Sequence, residues 1–316
     1  MPRRFPFAML VGLCATLFCG IALALPVARS DSDAGIPVTR VEIHHVNFRT
    51  DPRVLFHIEQ MRGELVPLET RRPTTFDDKR SFAIAIQSGT IGLSTSSMAA
   101  LLNNFVLAYP GAPVRAVKLT NQDGELIETA MVHGMPATIA GKLSVTPEGA
   151  IKFSPDSITM AGVPIKKVMD GVGVHVQRVV HLDESRGFKI DGDDVVLNIN
   201  QFPIWPRLYG HVVKVRLEGD NVIETFGPDP ADAKNAAALE PPLSRRAFMY
   251  FRGGTVRFGK LTMRDSEMEI VSARQQDWLD FDLDHYNEQL TAGCTETTPS
   301  FALIVSVPDY NQVDGK

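Results

Sequence analysis

The chain has 316 residues, 44 % of them apolar, which suits one large or two modest domains with a substantial core. Its formal charge is −5, with 22 % charged residues and no long block of one sign. That pattern argues against a disordered tail and against nucleic acid as a partner.

At the N-terminus, Arg3 and Arg4 precede the apolar stretch "FAMLVGLCATLFCGIALAL", and Ala22-Leu-Ala24 offers the small residues a signal peptidase needs. Residues 1–28 are read as a signal peptide or an N-terminal membrane anchor, because the 20 residues from Ala8 to Val27 carry no charge and are long enough to span a bilayer uncleaved. The protein is expected to be exported, and either periplasmic or anchored to the inner membrane. Removing residues 1–24 takes away two arginines and no acid, moving the formal charge from −5 to −7. Only Cys294 then remains, so no intramolecular disulfide is expected even in an oxidising compartment.

The folded part opens with alternating segments, "VTRVEIHHVNF", "VLFHIEQMRGELVPLE" and "SFAIAIQSGTIGLS", which read as strands. "STSSMAALLNNFVLAYPGAP" then breaks the alternation. Met98, Leu101, Leu102, Phe105 and Val106 recur at the spacing of one helical face, with Ser96 as the expected N-cap and Pro110-Gly111 as the stop. Hairpins are expected around Asn121–Gly124 and around Thr146–Gly149, where Pro147 and Gly149 suit a type I turn. A second helix is expected over "PIKKVMDGVGVHVQRVVHLDE", because Ile165, Val168, Val172, Val176 and Val179 form another stripe, although Gly171, Gly173 and the valines are poor helix formers. "FKIDGDDVVLNI" and "HVVKVRLEGDNVIETF" add two further hairpins. Residues 227–242, with four prolines and an alanine run, read as a surface linker. Residues 243–312 read as a β-rich extension packing on the main domain, with a short helix at "LDHYNEQLTAG".

No nucleophile elbow, phosphate loop or zinc-protease helix is present, and "GVGVHV" lacks the third glycine of a dinucleotide fingerprint. His44-His45 would point to opposite faces of a strand, so only one of them could ligate a given ion. "DGDD" at 191–194 lacks calcium-loop spacing and reads as a hairpin turn. "DFDLD" at 280–284 puts three carboxylates on one strand face, read as a solvated acidic edge. Cys294 has no activating base nearby in the sequence and reads as a buried or half-buried thiol. No catalytic residue, metal or cofactor is expected, and the chain is not expected to be an enzyme.

The fold class expected is α+β. A meander of half-buried strands has one apolar face, and two amphipathic helices can either seal it or stand off it and leave a long groove. The pattern alone leans towards the sealed core. Residues 80–226, through "GTIGLSTSSMAALL", the "GKLSVTPEGAIKF" hairpin and the "VKVRLEGDNVI" strand pair, resemble the tubular lipid-binding (TULIP) superfamily, especially LmeA-like bacterial exported proteins. That resemblance implies a curved antiparallel meander sheet wrapped around two amphipathic helices over residues 36–226, with extra C-terminal strands, a hydrophobic cavity and no catalytic residues. Residues 245–310 fall outside it and resemble conserved bacterial proteins of unknown function.

The functional expectation is an envelope protein that binds or carries a lipid or other hydrophobic small molecule at the bacterial membrane surface. Met98, Leu101, Leu102, Phe105, Val106, Val168, Val172 and Val176 would face the ligand. The alternative is a non-enzymatic envelope scaffold or interaction protein whose helices close the core.

Overall fold

Two-residue alternation recurs along most of the chain, and the computed structural model of the protein is accordingly 55 % strand and 14 % helix. It describes residues 37–69, 71–228, 238–243, 245–274 and 277–313. The expected signal peptide or anchor, and residues 229–237 of the expected linker, lie outside the described residues.

The first elements are β1 (Thr39–Asp51), β2 (Val54–Pro67), β3 (Thr74–Thr75), β4 (Phe82–Ser94) and α1 (Thr95–Leu101), which continues as a π-helical turn over Leu102–Val106. Next come β5 (Val114–Gln122), β6 (Glu125–Val132), β7 (Met135–Val145), β8 (Ile151–Met160), β9 (Val163–Pro164), α2 (Lys166–Val172), β10 (Phe188–Asp191) and β11 (Asp194–Leu197). The chain ends with β12 (Arg207–Glu218), β13 (Asn221–Gly227), β14 (Phe248–Phe258), β15 (Leu261–Ser272), β16 (Leu279–Asp282), α3 (Tyr286–Ala292), β17 (Cys294–Thr297) and β18 (Leu303–Val307).

One sheet has the strand order β12-β13-β4-β2-β1-β14-β15-β18-β17, with β16 beside β1 and β3 beside β14. The other is the meander β10-β11-β8-β7-β6-β5, with β9 beside β8. The first sheet closes around β1. β2 lies along one edge of β1, while β14 takes the first half of the other edge (Val41 opposite Phe251) and β16 takes the second half in parallel (Phe48 opposite Phe281). Val41 and Ile43 point inward before His45, and Val46 and Phe48 after it; the change of parity falls at His45, whose φ is +49°.

Helix α1 packs against β2, β4 and β5, so it lies between the two sheets. Met98, Leu101, Leu102 and Val106 belong to the same buried cluster as Ile58 and Ile91 of one sheet and Leu119 and Phe153 of the other. The cap is Ser94, whose hydroxyl accepts from Ser97 N at 3.1 Å, two residues before the expected Ser96. The helix also ends earlier than expected, at Val106 rather than at Pro110.

The expected architecture of a sheet wrapped around two amphipathic helices is overturned. There are two sheets, the first contains parallel pairings, and the helices among the described residues are three short ones, which cannot form an axis for a sheet. The expected second helix shrinks to α2, which stops at Gly173 with φ +67°; the glycine needs no Cβ clearance in the left-handed region and ends the helix. The α2 stripe turns outward, leaving Val168 63 % and Val172 68 % exposed. Val176 is half-buried in a 3₁₀ turn over Val176–Arg178.

On the outer side of the first sheet, residues 238–243 form a strap across β1, β14 and β15. Buried Glu42 accepts from Leu239 N at 2.9 Å and lies 3.0 Å from His44 Nε2 and 3.3 Å from Arg62 Nε. Buried Glu269 accepts from Leu243 N at 2.8 Å, and its Oε1 has no partner among the described residues. Leu239 packs beneath with Phe248, Tyr250, Val271 and Ile304.

Two other acids point into the protein instead. Glu128 of β6 stands between Leu119 and Ile139, and Glu224 of β13 between Val215 and Ile91, and burial pushes both carboxyls up to about 7. The unfolded chain loses these protons near pH 4.5 and the folded chain near 7. Between those values the native state holds more protons, so stability falls as pH rises from 4.5 to about 7 and then levels off.

Glu224→Gln is therefore expected to flatten the pH dependence and to raise stability at about pH 8 by up to on the order of 3 kcal/mol, measured by urea unfolding at a series of pH values. The same assay separates the two apolar stripes. Leu102→Ala should cost about 2–5 kcal/mol and Leu102→Trp about 1–3 by overpacking, whereas Val168→Ala should change stability by no more than about 0.5.

Candidate functional site

The one predicted stripe residue that is both half-buried and beside open space is Phe105. It projects from the π-helical turn, whose terminal carbonyls are held by Arg186: the guanidinium donates to Val106 O at 2.7 Å and also to Phe105 O. A cation at this position satisfies carbonyls that have no partner within the helix. The same guanidinium lies 5.6 Å from the centroid of the Tyr109 ring.

Phe105 lines a cleft of about 400 Å³ built from five separate segments. Thr50 and Asp51 end β1, Val54 begins β2, and Phe76 to Arg80 come from the loop between β3 and β4. Ile204 and Trp205 precede β12, and Leu283, Asp284, Tyr286 and Asn287 run from β16 into α3. Phe76 sets the apolar floor, with ring centroids 4.1 Å from Phe258, 5.4 Å from Phe82 and 5.8 Å from Tyr286.

The charged groups of the rim are mostly engaged with one another. Lys79 Nζ lies 2.6 Å from Asp284 Oδ1 and donates to Thr50 O at 2.8 Å. Asp78 pairs with Arg72 at 2.9 Å, and Asp51 accepts from the backbone and guanidinium of Arg53. Asp77 accepts from Asn287 Nδ2 at 3.1 Å and from Gly259 N at 2.9 Å. Burial alone would raise the Asp77 carboxyl, but hydrogen bonds from Asn287, Tyr286 and Gly259 outweigh it and hold the group below its ordinary value. Tyr286 is pushed up to about 12 by burial and by its neighbour Asp77.

Arg80 differs from the rest. It is exposed, has no carboxylate partner among the described residues, and lies 5.9 Å from the Trp205 ring, which Arg207 approaches to 4.8 Å. The lining contains no serine, cysteine or histidine, and it combines an aromatic and aliphatic patch with a charged rim. A shallower hollow on the other side of the same turn is lined by Asn103, Leu107, Tyr109, Val114 and Arg115.

The other predicted site residues do not meet at this cleft. Met98, Leu101, Leu102 and Val106 are buried between the sheets, while Val168, Val172 and Val176 lie at the α2 end of the second sheet. His44 stacks on Phe248 at 4.8 Å, and His45 meets Trp278 edge-on at 5.2 Å, so the two neighbours do diverge. "DGDD" is the β10–β11 turn, with Asp193 bound to Lys166 and Asp194 to Lys152. "DFDLD" is not a solvated edge: β16 pairs with β1, Asp282 is buried beside Arg49 and His285, and Asp284 belongs to the cleft. Cys294, expected to be at least half-buried, is exposed on β17. Among the described residues no three His, Cys, Asp or Glu side chains converge as a metal site would require.

Sequence reading missed Trp205, Lys79 and Arg80, and took Asp284 for part of a solvated acidic edge. The available signals were the charged "FDDKR" run directly before a strand and the Trp205-Pro206 pair, whose peptide bond is cis. Comparison with known protein families, with curated proteins and with solved structures finds no match to the chain.

Proposed function

We propose that the chain is an exported, non-enzymatic envelope protein that binds a compact, partly hydrophobic small molecule in the cleft beside Phe105. The observation that carries this reading is the composition of the cleft: Val54, Phe76, Phe105, Ile204, Trp205 and Leu283 contribute an apolar patch to a lining otherwise made of polar and charged groups, and the neighbouring acids are engaged by Arg53, Arg72, Lys79 and the Asn287 amide. About 400 Å³ lies within the range of small-ligand sites and favours a compact molecule over a long acyl chain. Arg80, resting on Trp205 without a carboxylate partner, suits an anionic group on an otherwise apolar ligand. A relationship to the TULIP superfamily stays within this proposal on its quoted segments alone, not on the arrangement of the helices.

The second reading, an interaction or scaffold protein with a sealed core, is favoured by the burial of Leu101, Leu102 and Val106 in the cluster shared by both sheets. The two readings part at the cleft. Under the binding reading, native mass spectrometry of gently purified protein shows a bound small molecule, and an anionic aromatic fluorophore binds competitively with it. Trp205→Ala should then weaken fluorophore binding by about tenfold or more, equivalent to about 1.4 kcal/mol, while leaving the melting transition in place. A clean apo mass together with no fluorophore binding by the wild-type chain would sink the binding reading and leave the scaffold.

A further inference from the structure

The second sheet presents an end whose chemistry the cleft does not use. Met131, Met135, Val163, Val168, Val172 and Val179 are all exposed. They gather because antiparallel pairing brings the β6–β7 and β8–β9 turns to one end of the meander, with Val132 opposite Met135 and Met160 opposite Val163. Ala161 N donates to Pro136 O at 2.7 Å, and the His133 ring lies 3.2 Å from Val179 O, so turns and following segment are tied together. Both turns carry two successive positive φ angles, +49° and +80° at His133-Gly134 and +49° and +82° at Ala161-Gly162. That is the geometry of tight, twist-matched hairpin ends.

The charges at this end are sorted. Asp170 and Asp193 are both taken by Lys166, at 2.7 and 2.9 Å. Lys167 and Arg178 are exposed and have no carboxylate partner among the described residues, and Arg115, opposite Met131, donates to a carbonyl, Ala112 O. The β5–β6 and β7–β8 turns at the opposite end carry Asp123 and Glu148 instead. Exposed aliphatic side chains stand on separate tips, with cations among them that have no carboxylate partner among the described residues. They match a surface that is apolar beneath and negative above.

We infer that this end of the second sheet docks onto an anionic lipid surface, with Val168 and Val172 of α2 and the two methionines entering the headgroup boundary and Lys167, Arg178 and Arg115 meeting lipid phosphates. This explains why an apolar stripe at helical spacing faces outward. The surface is separate from the cleft, and its failure would leave the cleft reading untouched.

Residues 8–27 are apolar enough to hold the chain on vesicles by themselves, so the readout must be local. The full chain is mixed with vesicles of phosphatidylcholine containing about one-third phosphatidylglycerol, and hydrogen exchange is followed by segment. Residues 131–136 and 161–180 are expected to exchange about tenfold more slowly than without vesicles. The protection should weaken in pure phosphatidylcholine and at about 1 M salt, where the Debye length falls to about 3 Å. It should disappear in Val168→Asp/Val172→Asp, and Lys167→Glu/Arg178→Glu should reduce it should the first variant fold poorly. Unchanged exchange in these segments of the wild-type chain would overturn the inference. So would protection that needs no vesicles and grows with protein concentration, which would assign the surface to a second copy of the chain.

Discussion

The pairing of β1 with β14 and β16 is the constraint on which the rest of the architecture hangs. Thr39 Oγ1 donates to Gly253 O across 214 positions of sequence, and the strands between these partners must be in place for the sheet to close. Such closure carries a chain-entropy cost that local hairpins do not, and it rewards folding only when both edges of β1 are satisfied. The cleft is a product of that closure. Asp51 at the end of β1 and Asp284 and Tyr286 beyond β16 become walls of one hollow only because the two strands run side by side in parallel.

The carboxylates of the protein show how little burial alone decides. Glu42 is buried, yet an amide, a guanidinium and an imidazole surround it. Glu269 has one satisfied oxygen and one bare one. Glu224 stands among apolar residues with burial as the dominant influence on its proton. In that order the donors aimed at each carboxylate fall in number, and a buried charge is tolerated only in proportion to such donors. The strap side of the first sheet thus aims donors at its buried carboxylates, while Glu224 on β13 sits among apolar neighbours.

What could be read from the residues in order was whatever depends on neighbours in order. The hairpins around Asn121–Gly124 and Thr146–Gly149, the stripe of α1 and the short helix near Tyr286 follow from local periodicity and turn chemistry. The direction in which a stripe points does not. Val168 and Val172 have the spacing of a core-facing helix, yet Ile165 and Met169 are the less exposed residues, and Gly173 stops the helix after seven residues. The cleft escaped because its five contributing segments are far apart in sequence and none carries a motif. Glu128 and Glu224 were visible as acids at inward positions of alternating strands, a signal in the pattern that went unused.

The strap over the first sheet has a consequence for length. Its anchors, Leu239 and Leu243, are four residues apart, with Pro241 and Pro242 between them, and they hold carboxylates two strand positions apart. Four residues in a proline-type extended conformation span about 12 Å, and two interstrand steps span about 10 Å, so the segment fits with little slack. Both contacts are made through main-chain amides and are indifferent to which side chain follows. The strap therefore works as a ruler: substitutions at Glu240 leave its gauge intact, whereas losing one residue between the anchors would put one of the two buried carboxylates out of reach of its amide.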